Sequence, residues 1–364
     1  MADLSEFVQN PLVTAIYEAY EKRYGAELSR TYLGASIIGK DCARALWYDF
    51  RWASKPAFDG RMYRLFQTGH LEEPRFVSDL RAVGVEVYDV DPATGKQFGF
   101  QGHGGHMRGH MDGCARYVPD GGRKWHVVEF KTHSEKSFKE LTKKGVQESK
   151  PQHYAQMQWY MGKSGMERGL YLAKNKNSDE LYAERIRFDR VYYERLQAKA
   201  AVVIFSGSPP DRISEDPKFF LCNWCDHKAV CHGHKAPALS CRTCVHATPE
   251  EHGDGRWSCA KDSDRNVSSI PVQVQRTGCG DHLPLPFLLT YAEAMDAGEG
   301  WIEFKRRDNG ETFMVLTKDA AYPSHKPAGY AYRSAEISAA ADHRAICNPE
   351  VEIFRTTFDG TIVA

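Results

Sequence analysis

A short apolar run that ends in opposite charges is the feature that most constrains the fold. Within residues 125–132 (WHVVEFKT), the run VVEF is short and apolar, as expected of a strand buried on both faces. Alternate residues of a strand point to the same side, so Glu129 and Lys131 converge while Phe130 points into the core. An acid at the end of an apolar run is costly to bury unless it is paired or bound to a metal. The strand therefore predicts both the position of the core and the position of a site.

The segments around this strand alternate between helical and extended patterns. Candidate helices cover 11–29, a stretch that starts near Asp41, 61–83, 134–144, the segment that begins at Pro151, and 189–206. Candidate strands cover 85–90, 107–118, 169–175 and 180–188. Residues 1–220 therefore predict an α/β fold in which helices surround a mixed central sheet.

An acid upstream of the strand completes a layout suited to phosphodiester hydrolysis. This reaction needs a divalent metal held by carboxylates, an activated water and neutralisation of developing charge. Asp112, in the turn-like GHMDG, precedes Glu129 and Lys131 in the chain. We expect Asp112 and Glu129 to hold Mg²⁺ or Mn²⁺, the Phe130 carbonyl to supply a further ligand, and Lys131 to position the water or steady charge.

This arrangement resembles the PD-(D/E)XK superfamily of nucleases, and in particular its RecB-like branch. The resemblance covers roughly residues 30–235 and implies a restriction-endonuclease-like core. It implies that His70, after Gly69, is a metal ligand, although Glu73 is a rival for that role. It also implies that Gln156 and Tyr160 orient the active site and the DNA strand.

A second copy of the same three letters occurs near the end of the chain. Glu303-Phe304-Lys305 lacks an upstream Asp-Gly turn and a downstream Gln-x3-Tyr helix. It lies in a segment that resembles a hairpin turning at residues 308–310. We interpret this copy as an exposed hairpin strand without a catalytic role.

The first cysteine set predicts a metal site. Cys222, Cys225 and Cys231 are spaced like ligands, and together with Cys42 they resemble the iron–sulfur staple of RecB-like nucleases, including AddB-type and CRISPR-associated exonucleases. The resemblance implies a structural 4Fe–4S cluster that closes the nuclease core. Zinc at the same positions is the alternative, and Cys42 as a buried helical thiol is another.

The second cysteine set has spacing typical of structural zinc. His246 or His282 could replace one of its cysteines, and Cys114 and Cys347 are expected to be unligated. The four cysteines of the set are Cys241, Cys244, Cys259 and Cys279.

Charge is balanced overall but not locally. Lys+Arg and Asp+Glu both number 48, whereas the stretch from Arg123 to Lys176 is rich in Lys and Arg. Such a basic segment suits a phosphate backbone, although a solvated surface has the same composition. Arg44 matches, together with Ser36, a motif near the start of related nucleases, which implies a phosphate contact unless it forms a plain surface salt bridge. The lysines expected to contact DNA are Lys136, Lys139, Lys143 and Lys144.

The composition, with 42% hydrophobic and 26% charged residues, is ordinary for a globular protein. We find no signal peptide and no run of about 20 apolar residues, so we expect a soluble, cytoplasmic chain without a membrane partner. Three domains are expected: the nuclease core closed by the iron–sulfur staple at 1–235, a zinc module at 236–283, and a small β-containing tail of unknown role at 284–364.

The functional expectation is a metal-dependent exonuclease that acts on DNA ends in recombination, repair or phage DNA processing. A looser resemblance to phage recombination exonucleases lies in the Gln-rich segment 154–158, and it suggests a recombination partner protein. An endonuclease on the same fold and a non-catalytic DNA-binding protein are the alternatives.

Overall fold

The computed structural model describes residues 10–233, 235–261, 269–358 and 360–363. The α-helices are α1 (Pro11–Tyr24), α2 (Ala43–Arg51), α3 (Gly60–Ala82), α4 (Glu135–Ser149), α5 (Pro151–Ser164), α6 (Arg190–Phe205), α7 (Phe220–Asn223), α8 (Lys228–Cys231), α9 (Val272–Thr277), α10 (Ser334–Ala339) and α11 (Pro349–Phe358). The strands are β1 (Leu33–Gly34), β2 (Glu86–Tyr88), β3 (Gly99–Gly102), β4 (Met107–His110), β5 (Gly113–Arg116), β6 (His126–His133), β7 (Arg168–Asn175), β8 (Leu181–Arg187), β9 (Ala247–Pro249), β10 (Trp257–Cys259), β11 (Ala292–Gly298), β12 (Trp301–Arg306), β13 (Thr312–Leu316) and β14 (Tyr330–Arg333).

A five-stranded mixed sheet, in the order β2-β5-β6-β7-β8, carries the apolar strand at its centre. β6 pairs in parallel with β7 and antiparallel with β5. Val128 and Phe130 pack on one face against α3, where the rings of Phe76 and Phe130 stack with centroids 5.1 Å apart. Val127 belongs to the core cluster on the other face, which includes Met157 of α5. The predicted α/β class is confirmed, with helices on both faces of a mixed sheet.

The segment predicted as one strand over 107–118 is divided between two sheets. β4 belongs to a three-stranded sheet with β1 and β3, whereas β5 belongs to the central sheet. The chain changes sheets at Met111 and Asp112, where it follows neither ladder. The prediction of a single strand is therefore wrong at this point, and the break is where the acid lies.

The cysteine-rich segment packs into the same core as the helices around the central sheet. Cys241, Cys244 and Trp257 share a buried cluster with residues of α2 and α5. Arg242 is buried and lies 3.7 Å from the ring centroid of Trp52. Its guanidinium donates to the carbonyls of Thr31 and Phe50 at 2.8 and 2.9 Å. The boundaries proposed at 235 and 283 stay a prediction.

The C-terminal part forms its own four-stranded sheet, in the order β11-β12-β13-β14. β12 and β13 are antiparallel and their connection turns at Gly310, whose φ of 76° suits glycine. The predicted hairpin is confirmed. The expectation that this strand is exposed is wrong, because Trp301, Ile302 and Phe304 are buried in cores of this region.

None of the helices within the described residues combines the length and the apolar character that a membrane crossing requires.

Candidate active site

Asp112 lies where β5 and β6 separate. The ladder between these strands ends with Gly113 opposite Val128. One residue further, Oδ2 of Asp112 accepts a hydrogen bond from the backbone N–H of Phe130 at 2.8 Å. The side chain thus takes the place of a strand carbonyl, and it holds the carboxylate beside the Glu129–Lys131 segment.

Glu129 and Lys131 face the same side of β6 and form a buried pair. The Lys131 ammonium donates to Oε1 of Glu129, whose side chain has 0% exposure. Oε2 of Glu129 is buried and has no hydrogen-bond partner within the described residues. An unsatisfied buried carboxylate oxygen carries a full desolvation cost. The site is therefore incomplete as a purely structural ion pair.

The electrostatics of this pair follow from burial and from the nearby acids. Burial raises the pKa of Glu129 to about 8; the Lys131 charge opposes the shift and the Asp112 charge adds to it. Burial also disfavours the charged form of Lys131, but the charges of Glu129 and Asp112 outweigh it and raise its pKa. The lysine therefore stays protonated beside the glutamate.

The helix α3 presents two rival ligands to the end of β6. The His70 ring is 67% exposed, and its Nδ1 lies 3.4 Å from Oε1 of Glu73. Burial raises the pKa of Glu73 and the Asp112 charge adds to the shift, while His70 and Lys131 oppose it. Both residues line a cavity of about 130 Å³ together with Lys131. Of the two, Glu73 interacts electrostatically with Asp112 and Lys131, whereas His70 faces solvent.

Across the described ranges, no group of three or more His, Cys, Asp or Glu side chains is arranged so that it could hold a metal ion as placed. The predicted set of His70, Asp112, Glu129 and the Phe130 carbonyl therefore stays a prediction. The donor set still suits a divalent cation. Asp112 lies beside Glu129, one oxygen of Glu129 is unsatisfied, and Mg²⁺ keeps several waters of its own.

Gln156 and Tyr160 of α5 are both buried beneath the site. The Tyr160 hydroxyl donates to the carbonyl of His110 at 2.6 Å. A Cβ at Gly109 would lie 2.7 Å from that hydroxyl, so the close approach requires glycine there. Burial raises the pKa of Tyr160, the Glu129 charge adds to the shift, and a hydrogen bond with Gln156 opposes it. Tyr160 thereby anchors the chain two residues before Asp112.

A histidine–tyrosine network next to Lys131 was not predicted from the sequence. The Tyr171 hydroxyl lies 2.8 Å from Nε2 of His133 and 2.8 Å from Nδ1 of His153. Tyr171 is the register partner of Glu129 on β7. Burial lowers the pKa of His133 to about 4 and that of His153 to about 2, and the Lys131 and Lys150 charges add to both shifts. The period of two along β6 could have identified His133, because it lies two residues beyond Lys131 on the same face.

The residues expected to contact DNA lie in two places. Arg44 donates to the Tyr48 hydroxyl at 3.0 Å and to the Pro210 carbonyl at 3.0 Å, so its guanidinium already has internal partners. The lysines of α4 are exposed, and two of them pair along the helix, Lys139 with Glu135 at 2.7 Å and Lys144 with Glu140 and Glu148. The exposed lysines are Lys136, Lys139, Lys143 and Lys144.

The first cysteine set gathers around one cavity of about 220 Å³ between α2 and the α7–α8 segment. Burial raises the pKa of Cys222, and the charges of Cys231 and Cys42 add to the shift. Cys225 has a raised pKa for the same reasons. The topology thus brings the isolated upstream cysteine to the other three, although no three of them form a metal-binding group as placed in the described chain.

In the second cysteine set, Cys244 lies close enough to Cys259 and Cys279 to interact with them electrostatically. Burial raises the pKa of Cys244 to about 11, and the charges of Cys279 and Cys259 add to the shift. The Cys241 thiol lies 3.5 Å from the Val274 carbonyl. His282, the possible replacement, is buried with Nε2 3.2 Å from the Thr243 hydroxyl, and His246 is partly buried.

Comparison with known proteins finds no matching family model and no matching curated protein. Solved structures that are similar include that of SSO0001, at 14% identity and a TM-score of 0.37, covering 62% of this chain and 98% of that one. LHK-Exo in complex with dAMP has 14% identity and a TM-score of 0.34, covering 51% of this chain and 89% of that one. The alkaline exonuclease LHK-Exo from Laribacter hongkongensis has 17% identity and a TM-score of 0.33, covering 50% and 90%. These similarities are too distant to assign an activity to this chain.

Proposed function

We propose that this chain is a metal-dependent DNA nuclease of the PD-(D/E)XK kind that degrades DNA from its ends. One observation carries the proposal. Glu129 is fully buried and bonded to Lys131 on one side, yet its other oxygen has no partner among the described residues and Asp112 lies beside it. Structural ion pairs are normally completed by further hydrogen bonds, whereas metal ligands keep an oxygen for the cation.

Asp112 and Glu129 would hold the divalent metal, Mg²⁺ or Mn²⁺, with a contribution from Glu73 or His70 of α3 and from the Phe130 carbonyl. When bound, such a metal activates water and neutralises charge on the scissile phosphate. The buried Glu129 with its orphaned oxygen and the half-buried Asp112 fit this cation, which would also lower the pKa of Glu129.

The chain's own residues then have distinct tasks. Lys131 keeps a permanent positive charge where the phosphate would gain negative charge, because the neighbouring acids raise its pKa. Tyr160 holds the loop that carries Asp112 in place. The neutral His133 and His153 add no competing cation beside Lys131.

The exposed lysines of α4, Lys136, Lys139, Lys143 and Lys144, lie on the helix that follows β6 and would bind the DNA backbone by counterion release. A role in recombination, repair or phage DNA processing, with a recombination partner protein, agrees with this activity.

End-labelled linear DNA and covalently closed circular DNA test the activity with Mn²⁺. We expect mononucleotides or short products from linear DNA and no loss of the circle. Nicking or linearisation of the circle would instead favour the endonuclease alternative on the same fold. DNA binding without cleavage under any divalent metal would favour the non-catalytic alternative.

We further propose that Cys42, Cys222, Cys225 and Cys231 hold a structural 4Fe–4S cluster. The shared cavity of these residues supports the proposal, because Cys42 is 180 residues away from Cys222 in the sequence and is nonetheless beside it. A protein prepared without oxygen should absorb near 400 nm, and Cys225→Ser should lose the absorbance while the matched control Cys347→Ser keeps it. A colourless, zinc-loaded protein would contradict the cluster and favour zinc.

Zinc is proposed for Cys241, Cys244, Cys259 and Cys279, with His246 or His282 as a substitute ligand. Metal analysis should find one zinc that Cys244→Ser removes.

A further inference from the structure

An aromatic patch is exposed at the start of α3. It consists of Phe58, Tyr63 and Phe66, in which the rings of Phe58 and Phe66 meet edge to face with centroids 5.2 Å apart. Phe58 is 40% and Phe66 41% exposed. Within the described residues, this patch exposes aromatic ring faces to water. Exposed apolar residues that cluster in this way commonly mark binding sites, whereas isolated ones do not.

Two arginines lie beside these rings. Arg61 and Arg64 alternate with the aromatic residues and are exposed. The sequence from Gly60 to Leu71 contains no Asp or Glu. Glu72, the first acid of the helix, pairs with Lys174 at 2.9 Å. The patch therefore joins aromatic faces to two exposed cations, while the nearby acids Asp59 and Glu21 accept hydrogen bonds from the backbone at the start of the helix.

The patch continues into the candidate active site. Phe66 lines the cavity of about 130 Å³ that also contains Glu73 and Lys131. Gly69 lies on the same wall, and a Cβ built on it would meet no atom within 4 Å. An extended ligand can thus pass from the aromatic patch over Gly69 to Lys131 without obstruction from the helix.

We propose that this patch binds the unpaired nucleotides at a DNA end, with a base stacked on Phe66 and the backbone held by Arg61 and Arg64. Stacking on aromatic side chains and a cationic path for the backbone are the two features of single-strand binding sites. Bases within a duplex already stack on each other and offer no free face to Phe66. The inference rests on the proposed nuclease function and adds its substrate class, a DNA end with a single-stranded tail.

A binding experiment with the full chain tests the patch without catalysis. The probe is a duplex with a single-stranded tail that carries 2-aminopurine, compared with its blunt counterpart, in buffer without divalent metal. Fluorescence anisotropy reports affinity, and quenching of 2-aminopurine reports stacking. We expect the tailed duplex to bind more tightly and to be quenched.

Phe66→Leu keeps an apolar side chain and removes the aromatic face. We expect it to weaken binding of the tailed duplex about fivefold or more and to abolish quenching. Phe66→Trp should retain both signals. The matched control is Phe354→Leu, an exposed aromatic on α11 whose ring stacks on Phe358, and it should behave like the wild type.

The possible failures are distinguishable. Equal binding of tailed and blunt DNA, or unchanged binding by Phe66→Leu, overturns the patch alone, because cleavage of linear DNA tests the nuclease separately. Absence of binding to either probe also overturns the patch, whereas only the absence of cleavage with a divalent metal overturns the nuclease. A wild-type dimer that Phe66→Leu dissociates assigns the patch to a second copy of the chain and overturns this inference.

Discussion

The two Glu-Phe-Lys segments of this chain have the same letters and different surroundings. Both lie on strands with a neighbour on each side, β6 and β12, and both bury the phenylalanine. Glu129 is sealed from water, lies beside a second acid and retains an unsatisfied oxygen. Glu303 is partly exposed, and its Oε2 accepts from Lys326 at 2.7 Å. Lys305 points to solvent.

The difference shows that the buried phenylalanine of the motif is common to any core strand. A site also requires that the glutamate is buried and that a second carboxylate lies beside it. Phe130 stacks on Phe76 and Phe304 stacks on Phe313, each fixing a core. Only on β6 does a neighbouring strand end so that an aspartate reaches the backbone of the phenylalanine. Within the described residues, the two segments can be compared one residue at a time by substitution.

The phenylalanines should behave alike. Phe130→Ala and Phe304→Ala should each lower the free energy of unfolding by about 3–5 kcal/mol, because each removes a buried ring and leaves a cavity. Urea unfolding measures both. A cost below about 1 kcal/mol for either variant would contradict the equivalence of the two cores.

The lysines should behave differently. Lys131→Ala should lower the rate of linear DNA cleavage by about 10²–10³-fold, since it removes a fixed charge at the reacting phosphate. Lys305→Ala is the control and should cleave at the wild-type rate. Thermal unfolding of both variants shows whether the loss is chemical, and a Lys131→Ala variant with wild-type activity would refute the site.

Metal binding and pH should both change the ionisation of Glu129. Its pKa of about 8 exceeds the ordinary value near 4.5, so the stability that Glu129 contributes is present below about pH 4.5 and is lost as the pH rises through about 8. Mn²⁺ should reverse that loss and release a proton below pH 8. Calorimetry in two buffers measures the proton. Glu129→Gln should abolish the release and Glu303→Gln should retain it; release by both variants would place the metal elsewhere.

The smallest effect should come from the ion pair of the second copy. Glu303→Gln should cost less than about 1 kcal/mol, because the pair is partly solvated and Lys326 keeps Asp296 at 2.7 Å as a second partner. The loss should shrink further in high salt. Urea unfolding at two salt concentrations measures it, and a cost above about 2 kcal/mol would mean that this carboxylate is as constrained as Glu129.

Local patterns predicted the elements that depend on local physics. The central strand was predicted over 125–132 and occupies His126–His133, and α5 begins at the predicted Pro151, where a missing N–H costs nothing. The first helix ends at Tyr24, short of the predicted 29, with Gly25 as its C-cap. Cys42 precedes α2 where Asp41 was expected as the N-cap.

Features that depend on distant residues were not predicted. The hydrogen bond from Tyr160 to the His110 carbonyl and the network around Tyr171 join segments that no sequence period relates. The split between β4 and β5 requires knowing that Asp112 replaces a ladder carbonyl. The convergence of Glu129 and Lys131 on one face was predicted from strand alternation and Asp112 from its place before them in the motif, whereas the aromatic patch of α3 depends on how the helix faces the end of β6.

The buried Arg242 has a consequence for the order in which the protein assembles. Its hydrogen bonds reach carbonyls that are 192 and 211 positions earlier in the chain. In the folded protein the Arg242 guanidinium lies over the rings of Phe50, Trp52 and Trp257. During translation, Phe50 and Trp52 are synthesised long before this arginine and cannot pack against it. Such distant closure is slow. Chaperone binding to the unfinished N-terminal half is therefore expected during synthesis, and its release should coincide with emergence of the cysteine-rich segment.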